Sequence, residues 1–310
     1  MTEPAPSWLP AALAGHRASL ARAITAVEEY TVDAPAVLQA AYPRVGHALV
    51  VGFTGTPGAG KSTLIGACIP EALRRGLSVG VIAVDPSSPL TGGSVLGDRI
   101  RMLASTSDDR VYVRSLAARG HLGGLSSAAS RVVDVLDAAG KDLVFIESVG
   151  VGQSETEISG LAHLTVLVCA PGMGDEVQMI KAGVLEVADV FAVNKADQPE
   201  AQGLIRQLRA AGQLSAQAAP QLVATIATTG QGVAELLDLL QVLHAKRGLP
   251  PAQERVRRVR QALQSRALLD LQRRLCAVSA VDAERLCSAV LEGTASFDEA
   301  TQALLHHARP

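Results

Sequence analysis

Apolar residues return at helical intervals over positions 1–46, where Leu9, Leu13, Leu20, Ile24 and Val27 would line one side of two short helices. From Ala48 the pattern changes to short β-rich runs separated by helix-length stretches. The runs are Ala48–Phe53, Ser78–Val84, Val111–Arg114, Leu143–Ile146, Thr165–Cys169, Val190–Val193 and Leu222–Ile226. Runs apolar on both faces need cover on both sides, and helix-length spacers make them parallel. The pattern therefore predicts an α/β fold with a mostly parallel central sheet. Pro250 and Pro251 mark a hinge, after which the chain reads as helical, with Gly293 and the Ser296-x-x-Glu299 capping box separating the last two helices. The organisation expected is an N-terminal helical extension over 1–46, a central domain over 47–248 and a C-terminal helical arm over 249–310. A helical tail of about sixty residues buries too little of its own apolar face to stand alone. It is expected to pack on the central domain or on a second copy, and a homodimer is expected.

Composition narrows the class. With 310 residues, 48% of them apolar, the chain is long enough for a full α/β core. A net charge of −2, with acids and bases spread along the chain, offers no polyanion-binding surface, so nucleic acid is not an expected partner. Cys68, Cys169, Cys276 and Cys287 show no metal-ligand spacing and read as free thiols. Neither a cleavable leader pattern nor an apolar run of membrane-spanning length is visible, and the expected location is cytoplasmic, with no membrane partner.

The chemistry begins at Gly55-Thr56-Pro57-Gly58-Ala59-Gly60-Lys61-Ser62, which fits G-x-x-x-x-G-K-[ST] between a buried strand and a helix starting near Lys61. This is the arrangement of a P-loop nucleoside triphosphatase. Glycines let the backbone curl until successive N–H groups face a phosphate, and the helix dipole favours the anion. Lys61 is expected on the β- and γ-phosphates, with the Ser62 hydroxyl on Mg²⁺ and Thr63 completing the loop.

Asn194-Lys195-Ala196-Asp197 follows the strand Val190–Val193, at the sheet edge where bases sit in open α/β folds. The Asp197 carboxylate can accept from guanine N1–H and N2–H₂ together, which adenine cannot match, so GTP is preferred and GDP is the product. Thr225-Ile226-Ala227-Thr228, after the next strand, is placed to give guanine O6 a backbone N–H from Ala227.

Three further segments carry candidate chemistry. Asp85 ends a strand beside the P-loop, and Asp98 lies in the glycine-rich stretch Thr91–Arg99; both are candidates for Mg²⁺ or its waters, with helix capping the alternative for Asp98. Glu147-Ser148-Val149-Gly150-Val151-Gly152-Gln153 occupies the place of a D-x-x-G element with Glu in the Asp position. There the Gly150 N–H would meet the γ-phosphate and Glu147 would act on the metal. Asp175, Gln178 and Lys181 recur every three residues on one side of a helix start, which suits either the nucleotide or an exposed polar face. The residues expected to act on the phosphoryl group are Lys61, Asp98, Glu147, Gln178 and Lys181. None stands out as a base, so slow intrinsic hydrolysis accelerated by a partner is expected. His121, alone in a glycine-rich loop, reads as incidental.

Together, Gly55–Thr63, Ala83-Val84-Asp85-Pro86-Ser87-Ser88, Gly92–Asp98, Arg119-Gly120-His121-Leu122-Gly123-Gly124, Glu147–Glu155 and Asn194–Asp197 resemble the MeaB/ArgK GTPase family across the whole central domain. The resemblance implies a homodimeric chaperone of an adenosylcobalamin-dependent methylmalonyl-CoA mutase or a related acyl-CoA mutase. Such proteins use GTP hydrolysis to gate cofactor delivery and to protect or reactivate the mutase. It also implies that Asp175–Lys181 responds to the partner. Ile226 departs from the pattern, standing where a serine is common. Competing readings are a metal-insertion GTPase, for which seven histidines and a single adjacent pair, His306-His307, offer few ligands, and a transport-associated kinase or ATPase, against which Asp197 argues.

Overall fold

β-Branched and aliphatic runs that leave no polar face assemble into a seven-stranded, wholly parallel sheet with strand order β3-β2-β4-β1-β5-β6-β7. The strands are β1 (Leu49–Thr54), β2 (Val79–Pro86), β3 (Val111–Ala118), β4 (Leu143–Glu147), β5 (Leu164–Cys169), β6 (Val190–Val193) and β7 (Gln221–Ala224). The computed structural model describes residues 5–86, 108–118, 124–148, 160–172, 188–213, 220–247 and 251–308. All seven expected strands are present. The last differs in extent: the ladder stops at Ala224, and Ile226 instead forms an isolated antiparallel bridge with Gln231.

Period-2 alternation distributes the strand side chains to two cores. Val51, Phe53, Val81, Phe145, Val166 and Val168 pack with Leu64, Ile65 and Ile69 of α4 (Lys61–Arg74) and with Leu236, Leu237 and Leu240 of α7 (Val233–Arg247). Phe53 and Phe145 meet edge to face at 5.4 Å, a favoured aromatic geometry. Cys68 lies wholly inside this layer, and burial pushes its thiol up to about 12, which leaves it a small inert hydrophobe.

On the other face, Val50, Ile82, Val84, Val144 and Ile146 pack against Val132, Val135 and Leu136 of α5 (Gly124–Ala138) and against the N-terminal segment. Where two helices are expected before β1, three form: α1 (Leu9–Leu13), α2 (Arg17–Glu29) and α3 (Ala34–Ala41), followed by a 3₁₀ turn at Tyr42–Arg44. The division has local causes. Tyr30 enters the left-handed region and closes α2 with its N–H on Ala26 O, and Pro35 starts a new helix where its fixed φ is already helical. Leu20, Ile24, Val27 and Val37 are fully or almost fully buried in the same core as the sheet. Arg114 of β3 reinforces this contact through Glu28 and Thr25, and the Arg131 guanidinium donates to Val27 O at 2.7 Å. A third core joins Leu167, Phe191 and Val193 to Leu204, Ile205 and Leu208 of α6 (Ala201–Gln213).

Residues Met1–Val256 form one compact unit and Arg257–Pro310 another. The boundary falls within α8 (Pro251–Cys276). In the second unit, Ser279 caps α9 (Ala280–Leu291), and Ser296 and Glu299 form the expected reciprocal capping box at the start of α10 (Phe297–His307). Among the described residues, no helix is long and apolar enough to cross a membrane.

The approach to β1 is fixed by one side chain: Asp137, 2% exposed, accepts from the N–H groups of Gly46, His47 and Ala48 at 2.7, 3.2 and 3.0 Å. Charge-assisted bonds of this kind are strong, and losing the acceptor strands three donors. Asp137→Ala should lower unfolding stability by roughly 2–4 kcal/mol, read by urea denaturation with circular dichroism.

Candidate functional site

Parallel strands deliver their C-terminal ends to one edge of the sheet, and the loops leaving β1, β4, β6 and β7 meet there. β1 runs into Gly55–Gly60, where Gly55, Gly58 and Gly60 all have positive φ, at 133°, 80° and 94°. Two of these glycines are also required by space. A Cβ on Gly55 would lie 2.2 Å from Val168 O of β5, and one on Gly60 would lie 2.3 Å from Asn194 Nδ2. Pro57 and Gly58 stay exposed at the tip and Ala59 is buried. α4 starts at Lys61 with Gly60 as its cap, so its first N–H groups open onto the loop. The Lys61 ammonium, 7% exposed, donates to Gly55 O at 2.7 Å and Thr56 O at 3.1 Å, which holds its charge over the curl of the loop.

Ser62 and Thr63, half-buried, open the helix. The Ser62 hydroxyl donates to Glu147 Oε1 at 2.5 Å, joining α4 to the end of β4 across 85 positions of sequence. Glu147 is 7% exposed. Two hard oxygen donors thus converge beside the glycine loop. Among the described residues no group of three His, Cys, Asp or Glu side chains is placed to hold a metal ion. A hydroxyl and a carboxylate are hard oxygen donors of the kind Mg²⁺ takes together with water and phosphate oxygens.

β6 runs directly into Asn194, which is 3% exposed and whose backbone N–H donates to Cys169 O at 2.8 Å. Its carboxamide is the hub of the edge. Nδ2 donates to Ala59 O at 3.0 Å, while Oδ1 accepts from Ala227 N at 3.1 Å and from Thr225 Oγ1 at 3.3 Å. One planar group thereby ties the glycine loop to the loop after β7. Lys195 follows in the left-handed conformation, φ 55°, and Ala196 N–H bonds Thr225 O at 3.1 Å, which brings Asp197 to the surface. The second loop is held from below by Gly232, whose missing Cβ would lie 2.1 Å from Ala224 O. Ala227 is buried, Ile226 half-buried and Thr228 exposed.

The structure thus gathers Gly55, Pro57, Gly58, Ala59, Gly60, Lys61, Ser62, Thr63, Glu147, Asn194, Lys195, Asp197, Ile226, Ala227 and Thr228 on one sheet edge. The backbone of Asp85 lies near the end of β2 on the same edge. Asp98, Gly150, Gln178 and Lys181, with Asp175 and His121, lie outside the described residues. The Ala227 N–H, expected to face guanine O6, is engaged by Asn194. Thr225, fully buried against Asn194, is named in the sequence only as part of the Thr225–Thr228 run, with no role of its own.

Residues 20–280 match the family model described as methylmalonyl-CoA mutase-associated GTPase MeaB. A protein of Pyrococcus horikoshii that carries a GTPase name is 48% identical over 233 residues, covering 73% of this chain and 74% of the relative. The GTPase ArgK of Escherichia coli strain K12 is 46% identical over 187 residues, covering 59% of this chain and 56% of the relative. A crystal structure titled LAO/AO transport system kinase superposes with a TM-score of 0.70 at 27% identity, covering 96% of this chain and 95% of the other.

Gly60 and Gly66 separate loop geometry from helix propensity. Gly60→Ala, which meets both positive φ and Asn194, should cost roughly 1–3 kcal/mol. Gly66→Ala, in α4 with nothing within 4 Å of the added methyl, should gain about 0.5–1 kcal/mol. Thermal unfolding of both variants checks the contrast.

Proposed function

The chain belongs to the MeaB family of methylmalonyl-CoA mutase-associated GTPases, and we propose that it couples GTP hydrolysis to the service of an adenosylcobalamin-dependent acyl-CoA mutase. It is a P-loop GTPase by fold and by family. The observation that carries the guanine-nucleotide reading is the Asn194 carboxamide, bonded at once to the phosphate-loop residue Ala59 and to Ala227. A base and a triphosphate bound at those two loops would be registered by a single rigid group.

In this reading Gly55–Gly60 turn their N–H groups to the phosphates, and Lys61, already held over the loop, neutralises charge between the β- and γ-phosphoryl groups. Asp197, exposed at the rim, accepts from guanine N1–H and N2–H₂. Ala227 gives O6 an N–H that it shares with Asn194, and the side chains of Lys195, Ile226 and Thr228 border the base. Ser62 and Glu147 fit Mg²⁺, which when bound would neutralise charge on the phosphate oxygens. Asp85 and Asp98 complete that donor set, Gly150 meets the γ-phosphate, and Gln178 and Lys181 serve the phosphoryl group or the partner. Since no residue stands out in the sequence as a base, turnover by the protein alone is slow. A docked mutase raises it, and hydrolysis gates cobalamin delivery to the mutase or its protection.

The mutase as client is supported by the family's description, and a homodimer by the apolar side chains exposed on the C-terminal unit, among them Leu263, Leu268, Leu291 and Phe297. The likeness to a structure titled as a transport kinase supports a second reading, phosphoryl transfer from ATP in transport. The two readings differ in their nucleotide.

GTP hydrolysis by the purified protein, with ATP as control, should be slow and guanine-specific, and should rise many-fold on adding a methylmalonyl-CoA mutase. ATP turnover at an equal rate would favour the kinase reading, and indifference to every acyl-CoA mutase would remove the chaperone reading. Asp197→Asn should lower GTP affinity by 10²-fold or more, on the order expected for a lost paired recognition, and should admit xanthine nucleotides; equilibrium titration with both nucleotides tests this.

A further inference from the structure

Oxygen atoms at the ends of β1 and β4 divide between the two faces of the sheet. Phe53 and Phe145 belong to the core beneath α4, and Glu147 shares their parity, which agrees with its bond to Ser62 of α4. Val50, Val144 and Ile146 belong to the opposite core, and Thr54 and Ser148 share theirs. These two residues stand side by side, one step beyond the registered pair Phe53 and Glu147, and the Ser148 N–H donates to Phe53 O at 3.0 Å. Both are 0% exposed. Among the described residues, neither Thr54 Oγ1 nor Ser148 Oγ has a hydrogen-bond partner.

A buried hydroxyl with its bonds unmade is a liability, and a valine or alanine would fill either position without one. Two such hydroxyls on neighbouring strands are harder to account for by packing. Their place offers the account: Thr54 directly precedes Gly55, and Ser148 directly follows Glu147, so the pair lies under the junction of the phosphate loop and the metal-side carboxylate. We infer that Thr54 and Ser148 form a hydroxyl shelf for the terminal phosphoryl group of GTP, joined to it through an ordered water. The guest is water because both residues are too deeply buried for a phosphoryl oxygen to reach them directly, and each hydroxyl can both donate and accept. A nucleoside diphosphate, lacking the terminal group, leaves that water without its third partner. The pair are therefore positioning residues that favour GTP over GDP from the face opposite Ser62 and Glu147. This inference rests on the guanine-nucleotide reading above.

The test uses the full chain with Mg²⁺ and four variants: Thr54→Val and Ser148→Ala, which delete a hydroxyl, and Thr54→Ser and Ser148→Thr, which keep it. Thermal unfolding without nucleotide is measured beside equilibrium affinities for GDP and for a non-hydrolysable GTP analogue. Deleting either hydroxyl should leave the unfolding temperature unchanged or raise it, should spare GDP, and should weaken the analogue roughly tenfold. The hydroxyl-keeping variants should retain the preference. A fall in unfolding temperature with equal weakening of both nucleotides would mean a structural role and overturn the inference, as would an unchanged ratio of the two affinities. Failure of the wild-type protein to bind either nucleotide would instead overturn the guanine-nucleotide reading, and the shelf with it.

Discussion

The Asn194 carboxamide is the interaction on which the site edge depends. It is nearly buried, donates to Ala59 O and accepts from Ala227 N and Thr225 Oγ1. Buried in a low-dielectric setting, such a group is useful only when its polar atoms are paired, and pairing fixes the spacing of the two loops that it joins. The Gly60 backbone approaches so closely that a methyl group there would collide with Nδ2. The glycine pattern of the first loop is therefore partly a consequence of a residue 134 positions away.

A second long-range bond, Ser62 to Glu147, ties the start of α4 to the end of β4. Both ties rest on the parallel sheet, which brings every strand's C-terminal end to one edge, and on α4 and α7 bracing one face while α5 and the N-terminal helices brace the other. The N-terminal segment belongs to this support: Leu20, Ile24 and Val27 share a core with Val144 and Ile146. That packing on both faces holds the sheet edge, and with it the loops after β1, β4, β6 and β7, in fixed register.

Much of this was legible in the sequence, because short-range physics set it. Buried parallel strands read as unbroken apolar runs, and all seven appear at the expected places, most within a residue or two. The glycine loop, Lys61, Ser62, Glu147 and Asn194–Asp197 were identifiable because their chemistry requires those residue types at those local spacings. Sequence patterns were less informative where several local solutions compete. The first segment divides into three helices because Tyr30 and Pro35 punctuate it, and β7 ends at Ala224 because Ile226 pairs back to Gln231.

By itself the sequence determined the fold class, the strand set, the family and the residue types at the glycine loop and at the turn after β6, since each follows from periodicity or from a contiguous motif. Tertiary structure decided which distant residues meet: Asn194 with Ala59 and Ala227, Asp137 with the approach to β1, and the two buried hydroxyls Thr54 and Ser148 under the phosphate loop. The reason is that strand order β3-β2-β4-β1-β5-β6-β7 is not chain order, so neighbours at the site are set by the pairing of the sheet and not by separation along the chain.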